Sequence, residues 1–152
     1  MKLNPIFKLS GVLAAALVLS GSALAKGSEW LTSYDKAVAM AKKTNKPILV
    51  DFTGSDWCTW CIRLDKEVFK TADFKKWAKA NVVLLSLDFP QSTPQPAKLK
   101  QQNEKLASKY GVQGFPTVLF LNAAGKELGR SGYEEGGPKK WIAGASKIVK
   151  AK

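Results

Sequence analysis

The chain holds two cysteines, Cys58 and Cys61, inside the stretch SDWCTWCIRL. Thiols three positions apart can bind a soft metal, hold a haem, or open and close as a disulfide. A structural zinc site wants four ligands from cysteine, histidine or carboxylate, and this chain has no histidine and no third cysteine. Haem attachment requires a histidine directly after the second cysteine, where Ile62 stands. As a staple, the pair would close a loop with only two residues between the thiols, which constrains an unfolded chain very little. Reversible thiol–disulfide chemistry remains. The missing histidine also excludes a Cys–His nucleophile of the protease type.

That chemistry needs a sulfur with a reason to ionise, and the neighbouring elements supply one. PILVDFT, residues 47–53, is an apolar, β-rich run of buried-strand length. GSDW turns the chain, and CTWCIRLDKEVFK reads as a helix that begins at Cys58 or Thr59. Cys58 therefore falls where a strand hands over to a helix N-terminus, whose free N–H groups favour a thiolate. This marks Cys58 as the exposed, low-pKa nucleophile. Cys61 lies almost one helical turn on, within reach of a mixed disulfide formed at Cys58.

The rest of the chain builds the frame for this pair. Residues 33–46 read as an amphipathic helix with Ser33 as N-cap, Pro47 as stop, and Ala37, Val38, Met40 and Ala41 at helical spacing. In the cysteine helix, Ile62, Val68 and Phe69 are expected in the core. After a break, TADFKKWAKAN continues helically with Phe74 and Trp77 turned inward. VVLLSLDF, from residue 82, is a second strand whose unbroken apolar start predicts burial on both faces. A helix over 97–109 turns Leu99, Leu106 and Ala107 inward. A strand over Thr117–Leu121, the turn AAGK and the short strand ELGR follow. Pro138 sits at the start of a final helix whose apolar stripe is Trp141, Ile142, Ala145, Ile148 and Val149. Strands that alternate with helices predict parallel pairing, with helices on both faces and a closing antiparallel hairpin.

The first 25 residues read as an export signal. Lys2 and Lys8 give a basic start, SGVLAAALVLSG is a short apolar core, and ALA (residues 23–25) precedes a cut at Lys26. The strongly apolar run, Gly11 to Leu19, is far short of the roughly 20 residues that span a bilayer. The expectation is cleavage after Ala25 and a single folded domain over residues 26–152. The formal charge of +12 invites a nucleic-acid reading. However, of 24 basic residues only Arg63 and Arg130 are arginine, and phosphate and base recognition favours the planar arginine fork. The lysines are scattered over helical faces, as in KLKQQNEKLASK. No nucleic-acid partner is expected.

ILVDFTGSDWCTWC and YGVQGFPTVLF together resemble the two signatures of the thioredoxin superfamily, in the matching order of elements. The sequel RLDKEVF is similar to that of a periplasmic thioredoxin-like disulfide reductase group. The resemblance covers nearly all of residues 26–152. It implies a thioredoxin fold, an α/β domain with a central mixed β-sheet flanked by helices on both faces. It implies Cys58 as attacking cysteine, Cys61 as resolving cysteine, and Asp51 as a buried acid suited to take the Cys61 proton. Pro116 matches a proline whose preceding peptide bond is cis, and Phe115 the residue whose backbone is offered to an extended substrate. Trp57 and Trp60 would rim the groove, with Gly132 on its far side; packing beneath the motif is the other reading of Trp57. Where thioredoxins carry a lysine that partners the acid, this chain has Leu84.

The dipeptide between the cysteines, Thr59-Trp60, is not the Gly-Pro of thioredoxin. The function implied is a periplasmic protein-disulfide oxidoreductase working in the reducing direction. It needs no metal or other cofactor beyond the redox-active disulfide Cys58–Cys61. Its partners would be disulfide-containing exported proteins and a membrane thiol electron donor, and it would act as a monomer. Two alternatives stay open: a dithiol oxidant of secreted proteins, and a thioredoxin-like binding module that holds Cu(I) through the two thiolates or acts as a noncatalytic chaperone.

Overall fold

The structure, a computed structural model, describes residues 29–151. The segment read as an export signal, residues 1–25, lies outside the described residues. Among the described residues no helix is long and apolar enough to cross a membrane. The elements run α1 (Tyr34–Thr44), β1 (Ile48–Thr53), α2 (Thr59–Leu64), a π-helical turn (Asp65–Phe69), α3 (Ala72–Asn81), β2 (Val83–Asp88), α4 (Ala97–Lys109), β3 (Thr117–Leu121), β4 (Glu127–Ser131) and α5 (Gly137–Lys150).

Local chemistry explains the punctuation. Ser33 caps α1 by accepting the Lys36 N–H at 3.4 Å. The end of α1 comes before Pro47, because Asn45 takes a left-handed conformation with φ 53°, which Asn tolerates better than most residues. Thr71 separates α2 and its π-helical extension from α3. Its hydroxyl donates to Val68 O at 2.6 Å, closing one helix, and accepts from Phe74 N at 3.3 Å, opening the next.

The four strands form one mixed sheet in the order β2-β1-β3-β4. β1 and β2 are parallel, with Asp51 opposite Ser86. The sheet is mixed as expected, since β3, the first strand of the closing hairpin, runs antiparallel to β1 with Thr117 opposite Phe52. Hydrophobic alternation carries no strand direction. Direction is decided by where the connection lands, and the segment before β3 delivers Thr117 to the C-terminal end of β1. β4 closes an antiparallel hairpin on β3. The outer edge of β2 is covered, since Leu31 donates to Leu84 O at 2.9 Å and accepts from Ser86 N at 2.8 Å, which removes an open pairing edge.

Successive strand residues point to opposite faces, so the sheet separates two cores. On one side Leu49, Leu84, Val118 and Phe120 pack with Leu64, Val68, Phe69, Phe74 and Trp141 from α2, the π-helical turn, α3 and α5. On the other, Val50, Phe52, Leu85, Leu87 and Leu119 pack with Ala37 and Ala41 of α1 and Leu106 of α4. Trp141 is the hub of the first side. It lies edge-on to Phe69 at 5.5 Å and to Phe74 at 5.7 Å, and its indole N–H donates to Gly132 O at 2.9 Å.

Two core expectations are corrected. Met40 is 43% exposed and Ile62 48%. In α2 and its extension the buried positions are Cys61, Leu64, Val68 and Phe69; the first three are spaced as one helical face, and that spacing turns Ile62 outward. Asn103 is the reverse case, a buried polar residue on α4 whose amide donates to Asp88 O at 2.9 Å.

Replacing Trp141 by alanine should cost about 3–5 kcal/mol through lost transfer energy and the cavity left behind. A denaturant titration should show a lower midpoint at an unchanged slope.

Candidate active site

β1 ends at Thr53, and Gly54 accepts the amides of Trp57 (3.3 Å) and Cys58 (2.9 Å), which bends the chain into α2. Gly54 is fitted to that bend, since a Cβ there would lie 2.5 Å from the Trp57 indole. Cys58 is the N-cap of α2, and its sulfur accepts the Cys61 N–H at 3.3 Å. The two cysteines are joined in a disulfide, with Cα atoms 5.2 Å apart. A helix amide aimed at Cys58 Sγ is a local source of positive potential for a thiolate once the bond is opened. Cys58 is 6% exposed and Cys61 4%. The expectation of an exposed Cys58 is corrected for this oxidised state, because a sulfur that caps a helix and bonds to a buried partner is folded back against the protein.

The turn before Cys58 is tied to the loop after β2 by two carboxylates that face opposite ways. Asp88 accepts Ser55 N at 2.9 Å and Ser55 Oγ at 2.6 Å. Asp56 accepts the amides of Gln91, Ser92 and Thr93 at 2.8–3.0 Å, and the Thr93 hydroxyl at 3.2 Å. Those bonds, led by the Gln91 amide, hold the Asp56 carboxyl below its usual range. Trp57 adds a third tie, its indole N–H donating to Phe89 O at 2.8 Å. Phe89 lies 4.8 Å from the Phe115 ring, and Trp57 meets Phe115 edge-on at 6.0 Å. Trp57 is 41% exposed, so it is not packed beneath the motif.

The Phe115–Pro116 peptide bond is cis. Trp60, Phe115, Pro116 and Gly132 line one open cleft of about 550 Å³, together with Tyr133 and Glu135. Four of the residues singled out in the sequence therefore meet in one groove, and Trp57 borders it through Phe115. The Trp60 side of the groove is braced. Its ring lies 5.1 Å from that of Tyr133, and the Arg63 guanidinium stands about 5 Å from both ring centres. Glu67 accepts from Arg63 Nε at 3.0 Å and from the Tyr133 hydroxyl at 2.7 Å.

Asp51 does not line this groove. It sits two residues after Leu49 on the sheet face that α2 and the π-helical turn cover. It is 7% exposed, and its Oδ1 has no hydrogen-bond partner among the described residues. Burial, with Asp65 and Asp88 adding repulsion, pushes its pKa up to about 8. It opens onto a pocket of about 340 Å³ shared with Thr53, Ser86, Ile62, Asp65 and Lys70. Leu84 is a core residue 6% exposed. The cation at this pocket is Lys70, paired with Asp65 at the end of the π-helical turn.

Sequence reasoning missed Asp56, Arg63, Glu67, Tyr133, Glu135, Asp65 and Lys70. All are charged or polar residues in segments read as loop or solvated helix face. The one signal in the sequence was the acidic residues about the cysteine signature, Asp56, Asp65 and Glu67. Among the described residues, no cluster of three or more histidine, cysteine or carboxylate groups is arranged to hold a metal.

A mixed sheet between two helical layers, with a cysteine pair capping the helix after its central strand, defines a class of redox domain. The family model for the thioredoxin-like domain matches residues 34–140, and the chain belongs to that family. It is 38% identical over 118 residues to the disulfide bond reductase DsbH of Chlamydia pneumoniae, covering 78% of this chain and 71% of DsbH. A solved structure of DsbH oxidoreductase superposes with a TM-score of 0.77 at 37% identity, covering 81% of this chain and 85% of that one. The thiol:disulfide interchange protein DsbD of Klebsiella pneumoniae is 34% identical over 93 residues; the match covers 61% of this chain but only 14% of DsbD. The fold is the thioredoxin fold, and the chain is a thiol–disulfide oxidoreductase of the DsbH and DsbD type with Cys58–Cys61 as its disulfide.

Asp56→Ala should free the loop it holds. Amide hydrogen exchange at residues 91–93 is expected to speed up while exchange in β1 stays slow, since strand amides open only with the core.

Proposed function

We propose that this protein reduces disulfides of exported proteins in the periplasm. The observation that carries the proposal is the disulfide whose Cys58 sulfur caps α2, on a helix whose Trp60 lines an open groove, in a domain that also buries Asp51 with no partner for its Oδ1. In the reduced protein, the Cys58 thiolate attacks one sulfur of a substrate disulfide. A Cys58–substrate disulfide forms, and the other substrate sulfur leaves as a thiolate. The ionised fraction of Asp51 takes the Cys61 proton. The Cys61 thiolate attacks Cys58 Sγ, the mixed disulfide breaks, and the second substrate sulfur departs. Two electrons have passed to the substrate, leaving the oxidised pair. A substrate segment would lie along Phe115 and Pro116, with Trp57, Trp60 and Gly132 bounding the groove.

The reducing direction is supported by the likeness to a protein named a disulfide bond reductase. Export is supported by the basic start, apolar run and small residues before Lys26. A reductase outside the cytosol has to be re-reduced, which calls for a membrane thiol donor. The described chain would act as a monomer without a further cofactor.

The reduction potential of the Cys58–Cys61 pair in glutathione buffers tests the direction. A value near or below about −230 mV agrees with a reductant, and one near about −120 mV would reverse the reading to an oxidant. Cys61→Ser should trap the mixed disulfide with substrate, detectable by mass, while Cys58→Ser should trap nothing. Equal insulin-reduction rates for wild type and Cys58→Ser would favour a noncatalytic binding module.

Asp51 gives a pH prediction with a definite sign. Its pKa is about 8 in the folded chain and about 3.9 unfolded, so between these values the folded state keeps a proton that the unfolded state loses. Stability therefore falls as pH rises from about 4 to about 8. Asp51→Asn stays neutral, and its gain in Tm over wild type should grow across that window. At pH 7 the same variant should resolve the mixed disulfide more slowly.

A further inference from the structure

The exterior of this chain is strongly basic, with a formal charge of +12. The groove departs from that. Of its lining residues only Glu135 is charged, and Glu134 precedes it on the same loop. Both are exposed. The carboxylate of Glu135 makes no ion pair or hydrogen bond among the described residues. The nearby ammonium of Lys140 is bonded instead to the Glu135 backbone carbonyl at 3.0 Å. The other acid of this wall, Glu67, is already engaged by Arg63 and Tyr133, which holds its carboxyl below the ordinary range. That engagement braces Trp60 and Tyr133 side by side, 5.1 Å apart, as an aromatic wall. The groove thus offers an apolar surface and one carboxylate, Glu135, that makes no hydrogen bond or ion pair among the described residues and lies within the field of Arg63, whose guanidinium is already paired with Glu67.

We propose that this groove selects disulfide segments carrying an apolar side chain and a basic side chain next to the reacting cysteine. The wall of Trp60 and Tyr133 takes the apolar group, and Glu135 takes the cation. The proposal rests on the reading that the groove beside Cys58 receives the substrate. Cleft and charge are complementary to such a segment, whereas an acidic segment meets Glu134 and Glu135 as like charges, an arrangement that slows association and disfavours binding. The volume, about 550 Å³, lies within the range of small-ligand sites and leaves room for a few residues rather than a folded surface.

The test uses the Cys61→Ser protein in reduced form and measures the rate of mixed-disulfide formation. The probes are three short peptide disulfides whose cysteine is flanked by Leu and Lys, by Leu and Glu, or by Ser and Lys. The neutral 2-hydroxyethyl disulfide serves as a probe that needs no groove. The Leu–Lys peptide should react about fivefold faster than the Leu–Glu peptide, a ratio on the scale of exposed charge pairs. The ratio should shrink toward one as salt rises from roughly 0.01 M to 1 M, where screening acts within about 3 Å. Glu135→Gln should lower the ratio, and Glu135→Lys should invert it. The Ser–Lys peptide should be slower than Leu–Lys, and Tyr133→Ala should erase that difference. A ratio of one in the unsubstituted groove, or a ratio that Glu135→Lys leaves unchanged, overturns the selectivity. Failure of even the 2-hydroxyethyl disulfide to react would overturn the oxidoreductase reading itself, and the selectivity with it.

Discussion

One junction places everything else: β1 must end, turn on Gly54, and deliver Cys58 to the first turn of α2 with its sulfur on the Cys61 amide. A sulfur that caps a helix gains stabilisation as a thiolate without any charged neighbour. That matters in a chain with no histidine to act as a base. The junction is held from outside by the reciprocal Asp56 and Asp88 bonds, which fix the loop after β2 against the turn before the cysteines. The same loop carries Phe89, whose ring packs against that of Phe115. The groove wall is therefore positioned by the structure that positions Cys58.

Within β1 the protein carries a group that its fold would do better without. Asp51 is buried without a partner for Oδ1, an arrangement whose cost rises as the carboxyl ionises. A carboxyl with a pKa of about 8 is protonated through most of the neutral range, yet close enough to ionisation to exchange a proton there. Those are the properties of a group suited to proton transfer. Asp65 and Lys70, brought to the same pocket by the π-helical turn, keep polar groups at its opening.

The two faces of the sheet are specialised. The side with α1 and α4 is an aliphatic core with Phe52 within it. The other is dominated by rings, with Phe69, Phe74 and Trp141 in mutual contact. Trp141 links that core to the groove, because its indole N–H bonds to Gly132 O and Gly132 lines the cleft. The groove is thus anchored to the ring cluster of that core.

Much of this was legible in the amino-acid order. The cysteine spacing with no histidine, the strand before it and the helix after it were enough to predict redox chemistry at Cys58, because those features are local. The helices and strands were found close to their observed bounds for the same reason, since Ser33, Thr71 and Pro138 act within a turn of their own position. Asp51, Phe115, Pro116 and Gly132 were named through resemblance rather than through any local pattern. Tertiary structure alone decided the rest. It set β3 antiparallel to β1, turned Ile62 and Met40 outward, and left Asp51 outside the groove that Pro116 lines. It also gathered Arg63, Glu67, Tyr133 and Glu135 at one wall from segments up to about 70 residues apart. A charged residue in a loop reads as solvated whatever its neighbours, because its hydrogen-bond partners lie far away in the chain and are chosen only when the sheet closes.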